Sequence, residues 1–370
     1  MKEIILGCVT AFFVVLLATP SLITVAKLKK LVDEPNEDRK KQKDSIPTIG
    51  GIIIFAASIF AYSMWFPWDD LSYYGSPYLF AEAVKEFKLL MAAAILIFFI
   101  GVKDDIIGVD PLKKLVGHGI VGFILVIMAD IRITDMQGIF GIGELPYMVS
   151  IALSIFSYIV VVNAFNLIDG SDGLAAGTGV ITSFFFGLWF YFTKQYDDSL
   201  LAFVLAGSLL AFLVFNFMPA KIYMGDSGSL FIGATTFALT VKCIETDANL
   251  TPAMLKQLSP AVFALAVLAY PLVDTLRVFT IRIFNGVSPF SADRNHLHHM
   301  LIDSGQTHRY TALVLYGVSI CIPLFIVLTK EMNATVAFLF MLFVAVGLTH
   351  AVWFFRKRKK KAAQMVPLAE

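Results

Sequence analysis

The sequence has few cysteines and few charged residues for its length. Cys8, Cys243 and Cys321 are its three cysteines in 370 residues, and each stands alone in an apolar segment. Three scattered cysteines indicate neither a disulfide framework nor a cysteine-based zinc site, and we expect them to be small core residues. Charged residues make up 15% of the chain, whereas a soluble domain has about 25%. This shortage of charge excludes an ordinary soluble protein.

Long apolar segments are abundant instead. Hydrophobic residues make up 58% of the chain and the mean hydropathy is +0.78. A helix needs about 20 mostly apolar residues to cross a bilayer. The pattern predicts an all-α, polytopic integral membrane protein with about eleven transmembrane helices, forming a single domain over residues 1–355 with a basic tail over 356–370. The predicted segments are Ile4–Ala26, Ile49–Phe66, Lys88–Gly101, Leu115–Ile131, Pro146–Val162, Leu174–Phe192, Leu200–Phe217, Leu230–Ile244, Pro260–Ile281, Ala312–Leu328 and Ala334–Phe355.

The placement of lysine and arginine predicts the orientation. Positive clusters lie within residues 27–43, 103–114, 282–309 and 356–361, and each cluster follows an odd-numbered segment. Lysine and arginine are enriched in loops on the cytoplasmic side of a membrane. We therefore expect the N-terminus outside the cell and the C-terminus in the cytoplasm, as a multi-pass protein of the inner (plasma) membrane.

Four polar motifs fall on the face that is predicted to be cytoplasmic. They are Asp104 with Asp105, NAFNLIDGSDG at 163–173, NFMPAKIYMGDSG at 216–228 and DRNHLHH at 293–299. The orientation was deduced from lysine and arginine, whereas these motifs consist mainly of Asp, Asn and His. Any one of them could be a solvated loop between helices. Acidic groups at a bilayer edge are costly unless they face water, a metal or a substrate, so the set of four predicts one shared site.

The acidic residues suit a magnesium site. Adjacent carboxylates such as Asp104 and Asp105 repel each other and persist best near a cation. Mg²⁺ is commonly held by one or two carboxylates together with substrate phosphates, and Asp226 and Asn166 carry oxygen atoms of that kind.

Glycines flank these acids at positions 170, 173, 225 and 228. Glycine lets backbone N–H groups approach a phosphate, which suits a nucleotide diphosphate. Glycine is also ordinary at the ends of helices, so each glycine alone indicates little.

The histidine motif has two interpretations. His296, His298 and His299 could bind a transition metal or contact a phosphate. Zinc would require further ligands nearby, and Arg282 and Arg294 lie in the same loop, so anion binding is favoured. The sequence also predicts a structural ion pair between Asp274 and Arg277, three residues apart at the inner end of the ninth segment.

Taken together, these motifs resemble those of the polyprenyl-phosphate N-acetylhexosamine-1-phosphate transferases, glycosyltransferase family 4. The resemblance rests on the DD pair, NAFNLIDGSDGLAAG, YMGDSGS and SPFSADRNHLHH, and runs from about Asp33 to His299. The HLHH ending after DR is similar to the undecaprenyl-phosphate N-acetylglucosaminyl-1-phosphate branch. The branch that transfers phospho-MurNAc-pentapeptide typically has three consecutive histidines there, whereas Leu297 interrupts them in this chain.

The resemblance implies roles for named residues. It implies that Asp226 is the principal Mg²⁺ ligand with Asn166 as a second oxygen donor, Mn²⁺ being an alternative ion. It implies that Asp104 and Asp105 lie near the lipid phosphate, one of them as the proposed base. Asp169 and Asp172 are implied to hold the nucleotide, with Asn216 and Tyr223 near the uracil, and Arg294, His296 and His299 are implied to hold the phosphate and sugar. We expect the catalytic residues to be Asp104, Asp105, Asp169, Asp172, Arg294, His296 and His299, and the substrate-binding residues to be Lys43, Thr48, Lys114, Asn163, Asn216, Tyr223, Arg282 and His298.

One position departs from the family pattern. Many members have a histidine in the first cytoplasmic loop where this chain has Gln42, after Arg39, Lys40 and Lys41. A role of that histidine as a base or phosphate contact therefore does not transfer to this chain.

The resemblance implies an activity. We expect transfer of N-acetylglucosamine 1-phosphate from UDP-N-acetylglucosamine to undecaprenyl phosphate, with release of UMP, as the first membrane step of a cell-envelope glycan. The alternatives are another UDP-N-acetylhexosamine, phospho-MurNAc-pentapeptide, or a membrane transporter, since acidic residues near broken spans also mark transporters. The expected partners are the UDP-sugar, undecaprenyl phosphate and the bilayer, with a homodimer left open and no nucleic acid.

Overall fold

A computed structural model describes residues 1–29, 31–33, 46–68, 74–247, 249–253, 255–287 and 295–364. For residues 349, 350 and 352–364 it describes the backbone alone. Lys43 and Arg294, both predicted site residues, lie outside the described residues.

Each of the eleven predicted apolar segments forms helix. Helices make up 77% of the described residues, which confirms the all-α prediction. In chain order the helices are α1 Lys2–Leu28, α2 Gly50–Trp65, α3 Pro77–Ile107, α4 Pro111–Gly122 continued as a π-helix over Phe123–Met128, α5 Tyr147–Ile168, α6 Leu174–Phe192, α7 Tyr196–Asn216, α8 Gly225–Ile244, α9 Pro260–Val267, α10 Ala269–Phe284, α11 Leu297–Asp303, α12 His308–Leu328 and α13 Ala334–Gln364, with a 3₁₀ turn at Ile139–Gly141.

Not every helix is long and apolar enough to span a membrane. Among the described residues, seven helices meet that requirement, and α9 with α10 would make an eighth if this pair, bent by 72°, is a single span. The helix α2 and the apolar part of α13, Ala334–Leu348, are shorter. The chain is thus a multi-pass membrane protein, whereas the number eleven and the orientation stay predictions.

Several helices begin at a residue that caps them. The side chains of Ser76, Asp110, Ser259 and Thr307 each accept a hydrogen bond from a backbone N–H in the first turn of α3, α4, α9 and α12. Proline follows the first three of these caps. Proline fits the first helical position because its missing N–H would have no partner there.

The helix α8 lies at the centre of the bundle. It packs against α2, α3, α5, α6 and α9 and carries an almost continuous set of buried residues from Ser227 to Ile244. Phe231 of α8 meets Phe55 edge to face at 5.3 Å, and Phe55 stacks on Phe98 of α3 at 3.9 Å. A helix that is apolar on all sides is expected in a core position.

Two boundaries differ from the prediction. Asp104 and Asp105 lie in the last turns of α3, which ends at Ile107, instead of in a loop after the helix. Asn163 and Asn166 likewise belong to α5, and the turn begins at Asp169. Polar residues can continue a helix that an apolar segment starts, because the backbone hydrogen bonds do not depend on side-chain polarity. A two-residue antiparallel pair, Val32–Asp33 with Ile46–Pro47, was not predicted.

A buried ion cluster ties three helices together at one end of the bundle. Lys242, near the end of α8, forms ion pairs with Glu86 of α3 and with the buried Asp198 at the start of α7. Asp226 lies in the first turn of α8, at the opposite end of that helix. Burial of these charges is tolerated because each has a partner of opposite sign.

We expect Lys242→Met to destabilise the protein by about 3–5 kcal/mol, because it leaves Glu86 and Asp198 buried without a cation. The measurement is the midpoint of unfolding in detergent. The exposed Lys85→Met is the matched control and should shift stability by less than about 0.5 kcal/mol. Equal midpoints for the two variants would contradict this role of the ion cluster.

The orientation can be tested with introduced cysteines. In a variant in which Cys8, Cys243 and Cys321 are replaced by alanine, we expect an impermeant maleimide added to intact cells to label Glu331→Cys and to miss Lys113→Cys. Both positions are exposed, and the lysine/arginine distribution puts them on opposite sides. The reverse labelling pattern would overturn the predicted orientation.

Candidate active site

The start of α8 is bound by the end of α3. The Asp105 carboxylate accepts hydrogen bonds from the backbone N–H groups of Asp226 at 2.7 Å and Ser227 at 3.0 Å. These N–H groups have no partner inside their own helix, and the positive end of a helix attracts an anion. Asp105 lies beyond the apolar part of α3, and burial raises the pKa of its carboxyl to about 6 despite these hydrogen bonds.

Lys114 joins two of the predicted acids. Its ammonium donates to Asp104 Oδ2 at 2.7 Å and to Asp226 Oδ2. The other oxygen of Asp104 accepts from the backbone N–H of Val109. Burial alone would raise the pKa of Asp104, but hydrogen bonds with Asp226 and Lys114 outweigh it and lower the pKa. Two helix ends and the start of α4 thus meet at one cation.

The turn after α5 completes this acidic cluster. Asn166 donates to Asp226 Oδ1 at 2.9 Å and to Ser229 Oγ at 3.0 Å. Asp169, at the end of the same helix, accepts a hydrogen bond from the backbone N–H of Gly225, and burial together with the charges of Asp226 and Asp105 raises its pKa well above the usual value. The structure therefore brings together Asp104, Asp105, Asn166, Asp169, Asp226 and Lys114.

The second half of the turn is attached to the loop before α8. The buried Asp172 accepts from the backbone N–H of Ala220 at 3.1 Å. Asn216 accepts from the N–H of Gly173 and donates to the carbonyl of Ile222. Its buried amide thus holds two loops together, and contact with a nucleotide base stays a prediction.

Tyr223 lies close to the same acids. Burial and the charges of Asp172 and Asp169 raise the pKa of its hydroxyl to about 12. The backbone of Tyr223 also connects to the strand pair and to α2, because its N–H donates to Pro47 and its carbonyl accepts from Gly50. Tyr223 therefore lies near the turn, and its contact with a nucleotide stays a prediction.

The histidine motif reaches the turn from the other side. His298 is completely buried, and its Nε2 lies 3.0 Å from the point where a Cβ at Gly170 would stand. The rings of His298 and His299 have centroids 4.1 Å apart. Burial lowers the pKa of His298 to about 3, so its ring is neutral at physiological pH. His296 is held by Asp274 of α10, with 3.0 Å between Nδ1 and Oδ2.

Three other predicted residues have contacts outside the acidic cluster. Asn163 donates to the carbonyl of Ile159 in its own helix. Arg282 is buried on α10, with its guanidinium 5.9 Å from the centroid of the Phe279 ring. Thr48 contributes backbone, since its carbonyl oxygen would be 2.2 Å from a Cβ at Gly225.

Glycines allow the helices to approach this closely. A Cβ at Gly101 of α3 would lie 2.5 Å from Ser227 Cα, and one at Gly51 of α2 would lie 2.1 Å from the backbone nitrogen of Gly228. Gly225 has a φ of +74° and would place a Cβ 2.7 Å from Asp105. Because the obstructing atoms at Gly51 and Gly101 are mainly backbone, no small side-chain movement would relieve a substitution there.

The donor set is suited to a magnesium ion shared with a substrate. In the part of the chain that the structure describes, no three His, Cys, Asp or Glu side chains are arranged to hold a metal ion by themselves. Asp104 and Asp226, however, already share one cation, the Lys114 ammonium. Mg²⁺ commonly takes one or two carboxylates and completes its shell with water and substrate phosphates. Asp104, Asp226 and an oxygen of Asn166 fit such a site.

The fold and the site define a class of protein: a helical membrane protein with a partly buried acidic cluster assembled from helix ends. Comparison with known proteins identifies the family within that class. Residues 87–244 match the model of glycosyl transferase family 4. The chain is 32% identical over 333 residues to the decaprenyl-phosphate N-acetylglucosaminephosphotransferase of Mycobacterium leprae, covering 85% of this chain and 81% of that relative. This chain therefore belongs to glycosyl transferase family 4, which confirms the resemblance.

Other relatives have similar names. The chain is 28% identical over 298 residues to the undecaprenyl-phosphate alpha-N-acetylglucosaminyl 1-phosphate transferase of Escherichia coli strain K12, covering 79% of this chain and 74% of the relative. The protein of the same name from Yersinia pestis is 28% identical over 294 residues, covering 77% and 73%.

The sequence reasoning missed several residues that build the site. The predicted pair of Asp274 and Arg277 exists, with 3.0 Å between Oδ1 and Nη2, but Asp274 also binds the histidine motif. Tyr316 of α12 donates its hydroxyl to the carbonyl of Gly173, and His308 lies 3.1 Å from Ser171 Oγ. The signal for Asp274 was a carboxylate inside an apolar segment, whereas nothing in the sequence separates Tyr316 from an ordinary aromatic residue.

We expect Gly101→Ala to destabilise the protein by about 1–3 kcal/mol, because the added methyl group would overlap the backbone of α8. The control is Gly317→Ala in α12, where a Cβ would have no atom within 4 Å. That change should leave stability unchanged or raise it by about 0.5–1 kcal/mol, because alanine favours a helix more than glycine does. Thermal unfolding in detergent measures both, and a harmless Gly101→Ala would show that the helices can separate there.

Proposed function

We propose that this protein transfers N-acetylglucosamine 1-phosphate from UDP-N-acetylglucosamine to undecaprenyl phosphate and releases UMP. The observation that carries the proposal is the acidic cluster of Asp104, Asp105, Asp169 and Asp226, two of which bind Lys114. It occurs in a chain whose relatives are named as polyprenyl-phosphate N-acetylglucosamine-phosphate transferases. A transporter finds no support in this family.

The acidic cluster has more negative than positive charge. Among the described residues it has four carboxylates, two of which contact its one ammonium, that of Lys114, and the pKa values of Asp105 and Asp169 are raised. Such a cluster favours a divalent cation, which we propose is Mg²⁺ at Asp226, Asp104 and Asn166, with Mn²⁺ as a substitute. When bound, the ion neutralises charge on the diphosphate of the UDP-sugar.

The turn after α5 is suited to hold the nucleotide. Asp172 and Asn216 fix its position relative to the loop before α8, and the charges of Asp169 and Asp172 act on the Tyr223 hydroxyl. A site held by secondary-structure ends and hydrogen bonds keeps its geometry before the substrate arrives. We propose that UMP occupies the surface formed by this turn, with the histidine motif, Arg282 and Thr48 towards the phosphates and the sugar. Contacts of Lys43 and Arg294 with these groups stay predictions, since both residues lie outside the described part of the chain.

The reaction is a displacement at phosphorus. An oxygen of the lipid phosphate attacks the β-phosphorus of the UDP-sugar, the bond from that phosphorus to the oxygen of UMP breaks, and UMP leaves with the electron pair. Phosphoryl transfer depends mainly on positioning and charge stabilisation. Lys114, between Asp104 and Asp226, supplies a fixed positive charge near the reacting phosphates. We favour a single step, and an aspartate nucleophile is the alternative.

The proposed setting follows from the substrates. Undecaprenyl phosphate is a membrane lipid and UDP-sugars are cytoplasmic, so the site would open to the cytoplasm at the inner membrane. The product would start an envelope glycan such as O-antigen, common antigen, teichoic acid or capsule.

The proposal can be tested by offering purified protein a panel of radiolabelled UDP-sugars together with undecaprenyl phosphate. The expected result is a labelled lipid and UMP in equal amounts with UDP-N-acetylglucosamine. Labelled lipid with another UDP-N-acetylhexosamine or with UDP-MurNAc-pentapeptide would change the sugar and keep the chemistry. Uptake into proteoliposomes without release of UMP would identify a transporter and refute the proposal.

We expect Asp226→Asn to lower kcat by about 100-fold or more, the size seen when one charge-stabilising group is removed. It should also weaken Mg²⁺-dependent binding of UDP-N-acetylglucosamine, because it removes a carboxylate that we assign to the ion. Steady-state kinetics and calorimetry with and without Mg²⁺ measure the two effects. The exposed Asp130→Asn, paired with Arg132, is the control and should keep full activity. An Asp226→Asn variant with near wild-type kcat would remove Asp226 from the site.

A further inference from the structure

A buried aspartate connects α10 to the histidine motif. Asp274 has no exposed surface, and its carboxylate accepts three hydrogen bonds of 3.0 Å, from His296 Nδ1, from the backbone N–H of Leu297 and from Arg277. Arg277 also donates to the carbonyl of Asn295. A buried carboxylate persists only with such donors. All of them except Arg277 lie more than 20 positions further along the chain, so this carboxylate fixes where the motif begins.

The hydrogen bond also determines which nitrogen of His296 carries a proton. Because an ionised carboxylate can only accept, the hydrogen on His296 must lie on Nδ1. Nε2 is then the atom available for another partner. It is buried, and it has no hydrogen-bond partner among the residues that the structure describes. Buried polar atoms nearly always have hydrogen-bond partners. We therefore expect the partner of His296 Nε2 to come from outside the described residues.

The rings form a row from Asp274 to the acidic turn. His296 and His298 are nearly parallel, with an angle of 15° and 5.8 Å between their centroids. His298 lies against His299 and next to Gly170, the residue after Asp169. His296 is therefore fixed by Asp274 at one end of a row whose next ring, His298, lies against the acidic turn.

We propose that Asp274 is a positioning residue for the transfer reaction: it fixes the ring and the tautomer of His296 so that Nε2 forms a hydrogen bond with the sugar phosphate of the UDP-sugar. This inference rests on the proposed function. It assigns Asp274 a role beyond its ion pair with Arg277, without contact between Asp274 and the substrate.

The alternative is that Asp274 only anchors the start of α11, through Leu297. Two substitutions separate these roles. In His296→Asn the side-chain amide can take the place of Nδ1–H and keep the bond to Asp274, while Nε2 is lost. In Asp274→Asn the shape is kept, but the amide donates to the ring and favours the wrong tautomer.

The experiment is a double-mutant cycle on UMP release. We expect Asp274→Asn and His296→Asn each to lower kcat by about 100-fold or more, with KM changed by less than about threefold because an interaction needed mainly in the transition state is lost. The double variant should be no slower than the slower single variant, since both changes remove the same interaction. Multiplying effects, or a fully active His296→Asn, would overturn the inference.

Thr275→Val is the matched control. Thr275 is the next residue of α10, is completely buried, and its hydroxyl has no hydrogen-bond partner among the described residues. This change should leave kcat unaltered. Asp274→Asn and Asp274→Ala should both be compared with it in thermal unfolding, so that lost activity of a folded Asp274→Asn is separated from unfolding.

Failure of the proposed function would look different. A wild-type protein that releases no UMP from any UDP-sugar refutes that function. Hydrogen exchange then decides whether Asp274 holds the motif: faster exchange of residues 295–303 in Asp274→Ala than in Thr275→Val is expected, and equal exchange overturns the inference. A wild type that releases UMP, with a fully active Asp274→Asn, refutes the inference alone.

Discussion

The hydrogen bonds from the start of α8 to the Asp105 carboxylate are the constraint on which the site depends. They hold the end of α3 against the first turn of the central helix. Asp104 is adjacent in sequence to Asp105, and Asp226 donates one of these hydrogen bonds, so the same contact brings Asp104 and Asp226 to either side of Lys114. A helix start offers unpaired N–H groups and positive potential, which makes a carboxylate there a stable connection.

The contacts of the lysine distinguish this partly buried site from the buried ion cluster of Lys242. At the far end of α8, Lys242 is shared by Glu86 and Asp198, both of which contact it directly. In the candidate site Lys114 contacts two carboxylates, and two more lie beside them without touching it. Carboxylates near one another raise each other's pKa unless a cation is present. Among the described residues, the candidate site therefore has two carboxylates beyond those that its lysine contacts, and a metal ion could balance their charge.

Much of the fold and part of the site could be predicted from the sequence. Apolar segments predict helices because a bilayer or a core requires them, and the alternation of helix direction brings the ends of α3, α5 and α7 to the starts of α4, α6 and α8. Loops that follow odd-numbered segments lie on the same side of the membrane, and this argument placed Asp104, Asp169 and Asp226 together. It could not place the helix ends themselves, because α3 continues through polar residues to Ile107. The close packing of Gly101 against α8 could not be predicted from the sequence either, because it depends on which helix lies opposite α3.

Asp274 shows where sequence reasoning stops. A carboxylate and an arginine three residues apart predict an ion pair within one helix, and that pair exists. The hydrogen bond to His296, 22 positions further on, requires that the chain turns back after α10. Nothing local to either residue encodes that return, so only the tertiary structure connects them.

The two halves of the site are held in different ways. The acids belong to long helices packed through glycines, where a carboxylate accepts backbone N–H groups and the geometry is shared by several contacts. The histidines lie at the start of α11, a helix of seven residues that is too short to be stable by itself. Its start is fastened by Asp274, through one ring nitrogen and one backbone N–H. A substitution among the acids thus acts on charge within a rigid frame, whereas loss of Asp274 acts on the position of the histidine motif.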